Sequence, residues 1–188
     1  MNVLNNLYIA LLHYPVYDKQ GNVVTTSVTN MDLHDISRAA KTFGVSRFFI
    51  VTPLSAQWDF VDRILYHWRN GYGALYNPSR KEALDTIEIK ASLDDVLGDI
   101  RKRTSGEVRL VITTASCQRQ STAYEELAHM LSEGTASYLL LFGTGWGIAK
   151  EIMDRADIVL EPISGPTSYN HLSVRSAVAI VLDRLMRQ

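Results

Sequence analysis

Short apolar runs alternate with longer amphipathic segments along this chain, a pattern that few architectures accommodate. Leu7-Tyr8-Ile9-Ala10-Leu11-Leu12 is too short and too sharply bounded for a buried helix, so it reads as a strand. The runs from Arg47 to Thr52 (closed by Pro53), Ile87 to Lys90, Val108 to Ile112, Tyr138 to Phe142 and Ile158 to Leu160 read the same way. Helical spacing fills the gaps. Leu33, Ile36, Ala40 and Phe43 follow a cap at Asn30 and stop at Gly44, and Trp58, Val61, Ile64, Leu65 and Trp68 run towards Gly71. Asn77-Pro78 opens a short helical piece, and Ser92 with Asp95 forms a capping box before Val96 and Ile100. Thr122 and Glu125 predict a capped helix to about Leu131, and a final helix starts near Ser173. Tyr14 to Thr29, with the turn cluster Asp18 to Asn22, reads as a surface excursion. Strands separated in this way by helices predict an α/β fold, a mostly parallel sheet with helices on both faces.

The chain has 188 residues, enough for one domain (1–188) with a packed core, and 46% hydrophobic with 21% charged residues is an ordinary globular balance. No disulfide can form within a chain whose one cysteine is Cys117, and no Cys/His cluster has zinc spacing, so neither metal nor oxidising compartment is expected. Asn2, Asn5 and Asn6 stand where a signal peptide would be basic, and no apolar run reaches the roughly 20 residues of a membrane span. A cytoplasmic location is therefore expected. With a net charge of −1, any contact with nucleic acid must come from a local patch or a partner chain.

In a parallel sheet ligands sit beyond the C-terminal strand ends, which here are His13, Thr52-Pro53, Thr113-Thr114-Ala115, Gly143-Thr144-Gly145 and Glu161-Pro162-Ile163. The stretch Leu139 to Ile148 is a strand entering a glycine-rich turn before a helix containing Ile152 and Met153, a turn that lets a ligand approach bare backbone. A tight turn with no ligand is the plain alternative. Dinucleotide binding is a further one, because Glu161 lies about where a ribose-binding acid would. Against it, the glycines run Gly143, Gly145, Gly147, and Glu161 is followed by the loop Pro162-Ile163-Ser164-Gly165-Pro166 with only one helix to come.

Leu141-Phe142-Gly143-Thr144-Gly145-Trp146-Gly147, Leu160-Glu161-Pro162-Ile163 and Tyr169-Asn170-His171-Leu172-Ser173-Val174-Arg175-Ser176-Ala177 resemble the SPOUT superfamily of RNA methyltransferases, in particular a small bacterial group related to the tRNA guanine-N1 enzymes. His13-Tyr14-Pro15-Val16 and Thr25 to Asn30 extend the resemblance to nearly the whole chain. It implies a C-terminal trefoil knot, a homodimer, and S-adenosylmethionine held by Thr113, Thr114 and Ala115, by Phe142, Gly143, Thr144 and Gly145, and by Glu161, Pro162 and Ile163 with Asn170, His171, Leu172 and Ser173. It also implies RNA as the methyl acceptor, without metal. Catalytically silent binding of S-adenosylmethionine or RNA, and less readily a nicotinamide oxidoreductase, remain open alternatives.

Arg119 lies in a polar loop with Ser116, Gln118, Gln120 and Ser121, where an arginine reaches phosphate or the target base; it is the candidate catalytic residue. Asp32, His34 and Asp35 fall in a first helical turn, which attracts acids whatever the function. His13 and His171 are read as structural, Arg175 as a partner within the last helix, and Cys117 as a weak nucleophile without a partner. Arg69, Arg80, Lys81, Arg101, Lys102 and Arg103 offer phosphate contacts, and Trp68, Tyr72 and Tyr76 offer stacking surfaces, against the plainer reading of solvated faces and a core tryptophan. Val174, Val178, Val181, Leu182 and Leu185 form an apolar stripe, which the resemblance places against a second copy; burial within its own domain is the plain alternative.

Overall fold

The computed structural model describes residues 6–115 and 120–187. Every expected strand is present: β1 (Leu7–Leu12), β4 (Arg47–Val51), β5 (Ile87–Lys90), β6 (Val108–Ile112), β7 (Ser137–Gly143) and β8 (Ile158–Val159). They form one sheet in the order β5-β4-β1-β7-β6-β8, with every neighbouring pair parallel. The central strands β1 and β7 are apolar because both faces are covered, with Leu11 beside Ile50 on one flank and Phe142 on the other. β5, with its alternating charges, lies at the edge.

Side-chain alternation along β1 separates two cores. Leu7, Ile9 and Leu11 join a cluster with Leu33 and Ile36 of α1 (Asn30–Thr42), Val61 of α2 (Ser55–Arg69), Leu84 of α4 (Pro78–Leu84), Leu127 of α6 (Tyr124–Glu133) and Val178 of α8 (Val174–Met186). Tyr8, Ala10 and Leu12 face Val96 and Ile100 of α5 (Leu93–Arg103), Ile152 of α7 (Lys150–Met153) and Val16. Burying a single Leu or Ile from either set contributes about 1.5–3 kcal/mol.

Helix termini depart from expectation where backbone pairing intervenes. α1 is capped by Thr29 rather than Asn30, its hydroxyl accepting from Asp32 N at 3.2 Å. Thr122 does not cap α6, because its backbone bridges Leu160; Glu161 Oε1 instead accepts from Tyr124 N at 3.4 Å. Ser92 and Asp95 form the expected capping box on α5. Two elements were not foreseen. β2 (Val16–Tyr17) and β3 (Val23–Val24) make a hairpin whose turn is tied by the Asp18 carboxylate, and α3 (Tyr72–Tyr76) precedes α4.

The apolar stripe of α8 is buried within its own chain, where Val178, Val181, Leu182 and Leu185 pack between α1 and α6. The stripe therefore gives no ground for a homodimer. No helix of the described residues is long and apolar enough to cross a membrane.

Candidate functional site

The C-terminal ends of β1, β6, β7 and β8 open into one cleft of about 880 Å³, within the size range of small-molecule sites. Thr113, Thr114 and Ala115 enter it after β6, and Phe142, Gly143, Thr144 and Gly145 at the end of β7. Glu161 and Ile163 follow β8, and Asn170, His171, Leu172 and Ser173 complete the wall before α8. Of the residues expected to hold a cofactor, only Pro162 does not line the cleft. Arg119 and Cys117 lie outside the described residues.

Several of these residues also fasten the fold. Thr113 Oγ1 donates to Leu141 O at 2.9 Å, Asn170 Nδ2 donates to Ala115 O at 3.1 Å, and Ser173 caps α8 by accepting from Ser176 N. His171 is exposed and packs edge-on against Tyr169.

The hairpin clasps the glycine turn. Tyr17 N donates to Gly147 O and Trp146 N to Tyr17 O, both at 2.9 Å. Gly145 has φ +59, and a Cβ there would stand 2.7 Å from Tyr17 O, so glycine is required by this backbone contact rather than by approach of a ligand. Gly147, at φ +115, faces open space. α7 begins only at Lys150 and has four residues, so the turn does not deliver a phosphate to a helix N-terminus. Without a helix N-terminus behind the turn, the nicotinamide alternative loses the phosphate site it needs, although Glu161 still lines the cleft while accepting from Tyr124 N.

A chain of hydrogen bonds crosses the floor of the cleft. Thr144 Oγ1 gives its one hydrogen to Leu12 O at 2.9 Å, so Thr26 Oγ1 donates to Thr144 Oγ1 at 2.5 Å, and His13 Nδ1–H donates to Thr26 Oγ1 at 3.0 Å. This order fixes the His13 tautomer and leaves Nε2 as a buried acceptor without a partner. Burial lowers the His13 pKa to about 4, against the opposing pull of Asp32, so the ring is neutral at pH 7.

Asp32 and Arg175, both at the cleft, join α1 to α8. Arg175 Nη1 donates to Asp32 Oδ1 at 3.0 Å, and its Nε lies 3.4 Å from Asp35 Oδ2, which places the partners of Arg175 on α1 rather than within its own helix. Asp32 thus does more than answer a helix dipole. Neither its burial nor this pairing across the sequence carries a local sequence signal.

Among the described residues no group of three or more His, Cys, Asp or Glu side chains is gathered as for a metal ion. Of the six basic residues considered for phosphate, Arg69 is tied to Leu84 O, Ile87 O and Asp85, and Arg103 to Asp99 and Glu88.

The chain is similar to an uncharacterized protein of Aquifex aeolicus (strain VF5), 41% identical over 180 residues covering 96% of this chain and 88% of the relative. It is 42% identical over 181 residues to a tRNA (guanine-N(1)-)-methyltransferase of Oleidesulfovibrio alaskensis (strain ATCC BAA-1058 / DSM 17464 / G20), covering 96% of this chain but 42% of that one. The A. aeolicus TrmH/SpoU tRNA modifying enzyme shares the fold with a TM-score of 0.58 at 18% identity, over 99% of this chain and 78% of that one. A family model described as SAM-dependent RNA methyltransferase matches residues 6–187, and the chain belongs to that family.

Proposed function

We propose that the cleft is the S-adenosylmethionine site of this family member and that the methyl acceptor is a nucleotide of RNA, with tRNA guanosine the first substrate to try. The observation that carries this reading is the convergence of four strand ends on one cleft of suitable volume. The tRNA guanosine suggestion comes from a relative of which this chain spans less than half, so it concerns substrate choice alone.

The residues present fit the cofactor. Among the described residues the backbone N–H groups of Thr144, Gly145 and Ile163 carry no hydrogen bond, and they offer donors to the edge of an adenine. Phe142, Ile148 and Ile163 offer apolar walls to its faces. His13 Nε2 is a buried acceptor still without a partner. S-adenosylmethionine, when bound, supplies a methyl group already activated on a sulfonium, so the chain needs chiefly to hold donor and acceptor in line, and no metal. Asp32 and Arg175 fix the relative position of α1 and α8 at the mouth. Arg119, on the sequence argument alone, serves the RNA side.

The trefoil knot of the SPOUT resemblance belongs to the same reading. It is supported by the 160–173 segment being fastened near both ends of the 113–122 connection, through Glu161 N to Thr122 O and Asn170 Nδ2 to Ala115 O. We read the working form as a homodimer in the cytoplasm, with exposed Trp146, Tyr169 and Leu172 available to a second copy. Titration calorimetry tests the cofactor assignment: S-adenosylmethionine binds in the presence of a chelator and NAD does not. Binding of NAD alone would refute it.

A further inference from the structure

We propose that a second pocket, between α1, α2 and α4, holds an unpaired nucleotide of the RNA substrate, its base against the aromatic floor and its phosphate between Arg63 and Arg80. The proposal rests on the RNA methyltransferase reading and adds to it the means of gripping the RNA.

The pocket has a volume of about 590 Å³, with Phe60, Ile64 and Trp68 as its apolar wall and His34, Arg63 and Arg80 around them. Trp68 forms its centre. The rings of His34 and His67 meet Trp68 edge-on at 5.3 and 5.2 Å, and the Arg80 guanidinium lies 5.0 Å from its ring centroid. Gly73 of α3 packs so closely on Trp68 that a Cβ would stand 2.8 Å from Trp68 Cε3, which holds the indole in place. Phe60, on the rim, is 38% exposed. An aromatic floor with an arginine plane beside it is a sequence-tolerant surface for a flat heterocycle.

The charges select the rest of the ligand. No acidic side chain lines the pocket, and among the described residues neither Arg63 nor Arg80 has a carboxylate within 4.0 Å. Arg80 Nε and His34 Nδ1 are buried and have no hydrogen-bond partner. A buried donor without an acceptor is destabilising, and a phosphate or base edge would relieve that cost where an apolar protein partner would not. His34, shielded from water and beside Arg80, has its pKa lowered, so the imidazole can read a base edge while the arginines supply the charge. In a chain of net charge −1, such local cations are what RNA binding requires.

Position links this pocket to the chemistry. Thr29 and Asp32 line the cofactor cleft, whereas Asn30 and His34 line the second pocket, so the two open on different sides of the first turn of α1. An RNA strand crossing the start of α1 reaches both.

The test uses the full chain, fluorescently labelled unfractionated tRNA, and the variants Arg63→Ala/Arg80→Gln and Phe60→Ala. The double variant should bind tRNA at least about tenfold more weakly and lose roughly one to two units of log–log salt slope, and Phe60→Ala should weaken binding about threefold. S-adenosylmethionine affinity should be unchanged in both. A folded double variant that binds tRNA as the wild type does overturns the proposal alone, and if it also loses oligomeric mass by light scattering the pocket is a protein interface. A wild type that binds S-adenosylmethionine but no tRNA overturns the proposal together with the RNA reading.

Discussion

Arg175 at the start of α8 donates to Asp32 in the first turn of α1 at 3.0 Å, joining positions 143 residues apart across the mouth of the cleft. The Asp32 side chain is 6% exposed and also accepts from Thr29 Oγ1, so removing Arg175 leaves a carboxylate largely cut off from water and short of a partner. Because Arg175 itself is partly solvated, Arg175→Met should cost about 2 kcal/mol, less than the roughly 3–5 kcal/mol of a fully buried pair. For a chain of this length that lowers Tm by about 4–8 °C. The double variant Asp32→Asn/Arg175→Met should lose less than the sum of the singles, and additive losses in thermal melts would show the pair to be uncoupled.

His13 makes stability depend on pH. Its folded pKa is about 4 against about 6.5 unfolded, so between those values the unfolded chain binds the extra proton and acid favours unfolding. The contribution is fully present above about pH 6.5 and is lost as pH falls towards 4. From pH 7 to pH 5 this group alone should remove about 2 kcal/mol. His34 acts in the same direction, so the comparison that counts is wild type with His13→Gln in urea unfolding at both pH values. An undiminished pH slope in the variant would clear His13 of the role.

Gly145 and Gly147 separate strain from collision. Both have positive φ, but only Gly145 would drive a Cβ into backbone. Gly147→Ala should cost about 1–2 kcal/mol from strain. Gly145→Val should cost more, about 3 kcal/mol or greater, and loosen the β2–β3 hairpin, which hydrogen exchange at Tyr17 and Trp146 would report. Equal melting temperatures for the two variants would contradict this assignment.

The strands were legible in the sequence because a parallel sheet covered on both faces leaves continuous apolar runs, as in Leu7 to Leu12 and Leu139 to Phe142. The cleft was legible for the same reason, since the residues after such strands must gather at one end of the sheet. Pairings set by tertiary structure were not. Nothing near Arg175 announces Asp32, and Thr122 carries a cap signature that the bridge to Leu160 overrides. The stripe on α8 looks alike whether it meets a second copy or its own sheet, and packing between α1 and α6 decided for the latter. Gly145 looked like a place for a ligand because the hairpin that crowds it is only two residues wide on each strand.

Arg119 gives a prediction from sequence position. Placed on the RNA side, it should leave cofactor affinity nearly unchanged when replaced, while Arg119→Ala cuts single-turnover methyl transfer at least about tenfold, equivalent to roughly 1.4 kcal/mol. A parallel fall in cofactor affinity and rate would instead move Arg119 to the cofactor.

Transfer of label from methyl-labelled S-adenosylmethionine to RNA, followed by nucleoside analysis, decides whether the chain is a transferase. The purified chain, incubated with chelator and tRNA from a strain lacking this protein, should move label into a single methylated nucleoside, and Ile163→Asp should abolish transfer while the fold melts normally. Calorimetric binding of S-adenosylmethionine with no label in any RNA fraction, total RNA included, would rule out RNA methylation and leave a cofactor-binding protein without transferase activity.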